Sequence, residues 1–276
     1  LQQVEQFNNP SITANDAFKP VTRYFDRITR PEQIIQSFPI AVQTMLDPAD
    51  CGPACISLSQ DIQGQTFDYP AEFFQEKVHT IRRPRPDEFQ IKEAADKIKS
   101  SKNPIIISGG GVFYSDAMEE LSQFAIKHNI PVTQTVMGYS TMKRDHSHFA
   151  GQIGGLGGKN TNTLAKETDL AIAVGTKLAD FTTGSWANFE NENFKLVSIN
   201  VSRYDANKHL AQAVVGDAKV SLTELSQALG DWKVGEDWNK KSQIELKSWN
   251  EHIDKESAPT NQEVPSYVQA IGAIYR

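Results

Sequence analysis

Cysteine is scarce in this 276-residue chain. Only Cys51 and Cys55 are present, too few for a disulfide framework and in keeping with a reducing compartment. Gly52 and Pro53 stand between them and no second pair follows, so a structural role outweighs a metal-binding one. Long apolar runs are missing too: none approaches the ~20 residues of a membrane span. Positive charge is in short supply. Twenty-eight Lys and Arg face 34 Asp and Glu, a net charge of −6, and nucleic-acid binding needs clustered cations. The one dense basic run, Arg82–Pro86 (RRPRP), is short and proline-broken and reads as solvated linker. No signal peptide is recognisable after Leu1. A cytoplasmic protein binding neither nucleic acid nor membrane is the expectation. Catalytic patterns are thin as well. No Ser-His-Asp or Cys-His arrangement can be assigned.

What is present is an alternation of strands and helices. Pro104–Gly111 (PIIISGGG) organises it. Three isoleucines without a polar alternate read as a strand buried on both faces. Three glycines then permit a tight backbone turn. A helix follows, with Asp116 placed to cap it, Glu119 three residues on, and Ala117, Leu121, Phe124, Ala125 and His128 on one face. A second strand is expected over Ile130–Val136. The unit recurs at Asp169–Gly175 and Lys195–Val201. This predicts an α/β fold: an open, mostly parallel, Rossmann-like sheet of about six strands with helices on both faces.

Around this centre the pattern weakens. Residues 1–26 read as irregular. Thr29-Arg-Pro-Glu32 forms a capping box, starting a helix whose buried face would be Ile34, Phe38, Val42 and Met45, with Pro39 kinking or breaking it. Ala54–Ser59 reads as a strand, and Gln60–Pro86 as a linker. A further helix starts at Asp87, with Gln90 at its third position, and another is capped by Asp217, with Leu222, Leu225 and Leu229 on its face. Asp231–Ser257 reads as a helical linker. Pro265–Arg276 begins a last amphipathic helix. These pieces suggest a segment cut at both ends, with one whole α/β domain at 87–230.

Several motifs approach a function without reaching it. Gly109-Gly110-Gly111 lacks the glycine at 114 that a dinucleotide fingerprint needs, since Tyr114 stands there. Gly151–Gly158 carries five glycines, but Lys159-Asn160 follows where a phosphate loop needs Lys-Ser or Lys-Thr. It reads as a flexible loop at the carboxyl edge of the sheet. Asp145-His146-Ser147-His148 has closely spaced ligand atoms and no further cluster, so it reads as surface loop. Gly216-Asp217-Ala218 resembles the start of a magnesium motif without its partner Asn.

Taken together, the βα piece ending ACISLSQDIQ, the SGGG and AVGTKL turns, and a strand followed by GDA resemble thiamine-diphosphate enzymes. The stretches 6–28, 59–74, 175–186 and 199–209 are similar to one hydrolytic branch of that family. The resemblance implies three α/β domains. Here 1–62 would be the C-terminal part of the pyrimidine-binding domain, 63–86 a linker, 87–230 the central domain, 231–264 a linker and 265–276 the start of the diphosphate-binding domain. It implies hydrolytic C–C cleavage of a small cyclic dione, thiamine diphosphate and Mg2+ as cofactors, and a homodimer or homotetramer. The family's catalytic glutamate and its Gly-Asp-Gly…Asn motif would lie outside 1–276, leaving this segment inactive alone. Flavin-binding relatives hold FAD on the central domain, at the turn matching Gly109, Gly110 and Gly111, with an arginine after the glycine matching Gly175 and acids ending the fourth strand. Lys177 and Asn200 stand at those positions, and Lys lacks the fork geometry of Arg. These six residues are the candidate pocket for FAD or NAD. No catalytic or metal-binding residue is expected in the segment. An acetolactate-synthase-like carboligase, or a stand-alone nucleotide-binding module, remains an open alternative.

Overall fold

The computed structural model describes residues 8–9 and 11–275. The first seven residues, Pro10 and Arg276 lie outside that range, as do the parts of the irregular start and of the last helix expected there. The chain divides into two compact units, 1–82 and 83–276.

The first unit is built on two parallel strands, β1 (Tyr24–Ile28) and β2 (Ala54–Leu58), in register from Tyr24 opposite Ala54 to Ile28 opposite Leu58. Strand β1 corrects the expectation of an irregular segment to residue 26. Asp26 and Arg27 interrupt its apolar pattern, yet both are satisfied locally. Asp26 accepts hydrogen bonds from Gln33 Nε2 at 3.0 Å and from the Ser37 hydroxyl. Burial opposes ionisation of Asp26, but these bonds prevail and hold its pKa below the usual carboxylate value. The crossover helix α1 (Ile34–Leu46) follows a 3-10 turn at Pro31–Gln33. The backbone amide of Thr29 donates to Gln33 Oε1 at 3.1 Å, so Gln33 and not Glu32 closes this start. Pro39 does not break α1; one missing donor is tolerated within a continuous helix. The buried face also differs from expectation. Ser37 and Ala41, four residues apart, are buried, while Phe38 and Met45 are exposed. Small residues let the helix lie close to its two strands. Beyond β2, Tyr69 anchors a cluster with Phe67 and Phe73, at ring separations of 5.1 and 5.8 Å, and its hydroxyl donates to Pro31 O.

The second unit contains six parallel strands: β3 (Pro104–Ser108), β4 (Val132–Gln134), β5 (Phe149–Gln152), β6 (Leu170–Val174), β7 (Lys195–Asn200) and β8 (Gln212–Val215). They lie in the order β5-β4-β3-β6-β7-β8. Counted within the unit this is 3-2-1-4-5-6, the doubly wound order, and its switch point falls between β3 and β6. Both central strands are buried throughout. Ile105, Ile106, Ile107, Leu170 and Ile172 are fully buried, each stabilising the fold by roughly 1.5–3 kcal/mol. Helices flank the sheet: α2 (Glu88–Lys99), α3 (Met118–His128), α4 (Lys159–Glu167), α5 (Ala218–Leu229) and α6 (Glu236–Glu256), while α7 (Tyr267–Tyr275) packs on α6. Helix α5 packs on α2 and α3, and α6 packs on α4 and β5.

Local chemistry sets several boundaries. Asp87 accepts from Phe89 N at 2.9 Å, and Asp217 from Lys219 N at 3.0 Å, as expected of caps. Gln90 does something else: its Oε1 accepts from Val215 N at 2.9 Å, tying α2 to edge strand β8. Asp116 does not cap α3. It sits at φ +51, Ala117 precedes the helix, and the Asp116 carboxylate pairs with Lys219 at 3.2 Å. The chain reverses here from the helical turn Gly111–Tyr114 into α3, and Asp tolerates that left-handed geometry better than most residues. Strand β4 is shorter than expected because Thr135 starts a 3-10 turn at Val136–Gly138. Strand β5 occupies part of the stretch expected as glycine loop.

The basic run is not simply solvated. Arg83 Nη1 donates to Asp217 Oδ2 at 3.1 Å and to Ser115 O, Pro84 O accepts from Asp217 N at 2.8 Å, and Arg85 pairs with Glu224. Asp217 thus joins the start of this unit to α5. Asp217→Ala is expected to cost about 1 kcal/mol from the lost cap, seen as a lower denaturation midpoint in urea. An unchanged midpoint would show that the cap contributes nothing.

Three histidines on this unit have their pKa values lowered by burial. His128 Nδ1–H donates to Trp232 O at 2.7 Å and Nε2 accepts from Ser226 Oγ at 2.9 Å. Burial pushes its pKa down, the Trp232 bond opposes this, and Lys127 adds to the fall. Burial likewise lowers His146 and His148. A histidine with a depressed folded pKa binds its proton more readily unfolded, so stability rises with pH. The contribution is complete above the unfolded value of about 6.5 and is lost as pH falls below it. The melting temperature is therefore expected to drop from pH 7 to pH 5 (about neutral to about two units lower), with a smaller drop in His128→Gln. A flat or rising profile over that range would contradict the assignment.

Candidate functional site

In a doubly wound sheet ligands bind outside the carboxyl ends of the strands at the switch point. Here that place is framed by Gly109, Gly110 and Gly111 after β3 and by Gly175 after β6. The glycines are required for contact with one another. A Cβ on Gly109 would lie 2.5 Å from Gly175 O, and one on Gly111 would lie 2.6 Å from Gly175 Cα. Gly175 itself has φ +58, where only glycine is free of strain. Gly111 N donates to Gly175 O at 2.9 Å. The two turns therefore meet backbone to backbone.

The other two sequence candidates separate. Lys177 is exposed. Asn200 is buried at the end of β7, where its Nδ2 donates to Thr176 O at 3.2 Å and its Oδ1 accepts from Ser202 N at 2.9 Å. The structure brings the glycine turns together, and it gives Asn200 local work.

The loop Gly151–Gly158 is pinned, which corrects the flexible-loop reading. Gly155 N donates to Phe181 O at 2.7 Å, Gly154 N to Asn162 Oδ1 at 3.0 Å, and Asn162 Nδ2 returns to Gly154 O at 3.0 Å. Gly154 has φ +105, and a Cβ there would lie 2.0 Å from Phe181 O. The glycines serve close packing on the segment after β6.

Among the described residues, no group of three His, Cys, Asp or Glu could hold a metal ion. Cys51 and Cys55 are free. His146 and His148 bond to Ser122 and Asn129. No helix among the described residues is long and apolar enough to cross a membrane. Gly216-Asp217-Ala218, the one stretch resembling a diphosphate-and-magnesium motif, does not fit that group, since the Asp217 carboxylate is committed to Lys219 N and Arg83. Two shallow pockets, of about 370 and about 390 Å³, lie at the opposite, amino edge. The larger is lined by Asn103, Asp169 and Lys195, just before or at the starts of β3, β6 and β7.

Comparison with known proteins gives this architecture a family. Residues 91–225 match the family described as the thiamine pyrophosphate enzyme central domain. The chain is also similar to proteins named 3D-(3,5/4)-trihydroxycyclohexane-1,2-dione hydrolase. With that of Clostridium perfringens (strain 13 / Type A) it shares 43% identity over 255 residues, covering 92% of this chain and 40% of the relative. With that of Bacillus licheniformis it shares 47% over 236 residues, covering 84% and 37%. With that of Bacillus velezensis it shares 45% over 253 residues, covering 89% and 39%. The chain spans about 40% of the length of the curated relatives it matches. The match to the thiamine pyrophosphate enzyme central domain runs from α2 into α5 of the second unit, and the similarity to these relatives extends over most of the chain.

Proposed function

We propose that this chain is the central portion of a hydrolase that cleaves a C–C bond of 3D-(3,5/4)-trihydroxycyclohexane-1,2-dione, yielding 5-deoxy-glucuronate in myo-inositol catabolism. The observation that carries the reading is the identity of 42–47% to hydrolases of that name, extending over 83–92% of the chain. The reaction is a hydrolysis: water adds across one ring C–C bond, one carbon becoming a carboxylate and its neighbour taking a proton. It needs no external oxidant. In this reading thiamine diphosphate and Mg2+ are the cofactors, and the residues that hold them belong to the part of the relatives' length that this chain does not span. The 276 residues supply a scaffold. We further propose a cytoplasmic homodimer or homotetramer.

The test is an assay of the longer encoded protein with the cyclic dione, following the product by mass spectrometry. The expected result is formation of 5-deoxy-glucuronate that depends on added thiamine diphosphate and Mg2+. Condensation of two keto acids, with the dione left intact, would replace this reading with a carboligase. Light scattering of the same preparation checks the assembly; a monomer would contradict it.

A further inference from the structure

We infer that the dinucleotide crevice of this domain is filled by its own chain, and that the domain holds neither FAD nor NAD. The inference does not depend on which substrate the longer protein cleaves.

A dinucleotide at a switch point needs free backbone amides at the first glycine turn, room above it, and side chains aimed at the ribose. Four amides of the first turn are already spent. Gly109 N donates to Val174 O at 2.9 Å, Gly111 N to Gly175 O at 2.9 Å, Val112 N to Gly109 O at 3.1 Å and Phe113 N to Gly110 O at 3.0 Å. The space beside the turn is taken by the 3-10 turn Val136–Gly138. A Cβ on Gly138 would lie 2.1 Å from Ser108 O, and one on Gly110 would lie 3.1 Å from Met137 O.

A buried polar knot holds that turn in place. Thr141 Oγ1 donates to Gly138 O at 2.7 Å. With its proton so used, it accepts from Ser108 Oγ at 2.6 Å and from Gln134 Nε2 at 3.3 Å. Gln134 Nε2 also reaches Met142 O at 3.0 Å, and Thr135 Oγ1 accepts from Gly138 N at 3.0 Å. Ser108, Gln134, Thr135 and Thr141 are all buried. These polar groups stand at the carboxyl ends of β3 and β4, where a ligand would be read, and they bond one another. At the end of β7, Asn200 has both its donor and its acceptor engaged. None of the unpartnered buried side-chain atoms among the described residues belongs to this set. The crevice is a closed joint between the two halves of the sheet.

Two measurements on the whole chain test this. Titration with FAD and with NAD, followed by calorimetry, is expected to show no saturable binding up to about 1 mM. One-to-one binding with a Kd below about 10 μM, near −7 kcal/mol, would overturn the inference. The second measurement needs no ligand. Thr141→Val strips Ser108, Gln134 and Gly138 O of their shared partner and is expected to lower the melting temperature by about 4 °C or more. Thr141→Ser, which keeps the hydroxyl, should recover most of that loss. A melting temperature unchanged in Thr141→Val would show that the knot does not hold the joint closed, and would equally overturn the inference.

Discussion

Gly175→Ala is expected to destabilise the second unit by roughly 2–5 kcal/mol. Two costs combine. The residue has φ +58, and a left-handed alanine costs about 1–2 kcal/mol. Its Cβ would then lie 2.6 Å from Gly111 Cα. Backbone cannot step aside as a side chain can, and the overpacking adds about 1–3 kcal/mol. Gly184 separates the two costs. Its φ is +59, but the nearest atoms to an added Cβ belong to the Asn188 side chain, at 3.1 Å. Gly184→Ala should therefore show little beyond the conformational cost of about 1–2 kcal/mol. Urea denaturation of both variants measures the difference. Equal losses would mean that contact between the two glycine turns contributes nothing, and that the joint at the switch point is loose.

Trp238→Ala is expected to cost about 3–5 kcal/mol. Trp238 lies on the first turn of α6, is buried, and packs in the core with its Nε1 donating to Pro104 O at 2.8 Å. That carbonyl belongs to the first residue of β3. Trp238→Phe keeps most of the apolar volume and leaves Pro104 O without its partner, so about 1–3 kcal/mol should be lost. Were α6 a detached linker, neither change would move the denaturation midpoint. Limited proteolysis gives a second readout: cleavage within Glu236–Glu256 should accelerate in the alanine variant and stay slow in the parent.

What could be read from the sequence was whatever a residue's neighbours in the chain decide. The isoleucine run of β3, the apolar face of α3 from Leu121 to His128, and the caps at Asp87 and Asp217 depend on short-range pattern, and each is as expected. What escaped depends on contacts across long sequence separations. Strand β1, its apolar pattern interrupted by Asp26 and Arg27, shows itself only through its pairing with β2, from Tyr24 opposite Ala54 to Ile28 opposite Leu58. Arg83 reads as a loop cation until Asp217, 134 residues away, comes beside it. Trp238 reads as part of a polar helix until β3 is placed under it. The glycines show the same division. Their presence signals a turn, but only the structure shows that Gly109 and Gly111 face Gly175, and that Gly154 faces the Phe181 carbonyl. A glycine-rich turn built to approach a phosphate and one built to approach another backbone look alike in sequence. The polar residues at and after the ends of β3 and β4 are similarly ambiguous: Ser108, Gln134, Thr135 and Thr141 could serve a ligand or one another.

In the function proposed above, this chain is a scaffold domain of a thiamine pyrophosphate enzyme, and the cofactor-holding residues lie outside the groups described. Calorimetric titration of the 276-residue chain with thiamine diphosphate in the presence of Mg2+ tests it most directly. The expected result is no saturable heat, because Asp217 is committed to its helix and to Arg83 and no metal-ligating cluster exists among the described residues. Stoichiometric binding with a Kd of a few micromolar, about −8 kcal/mol, would contradict it and place a working cofactor site within these residues.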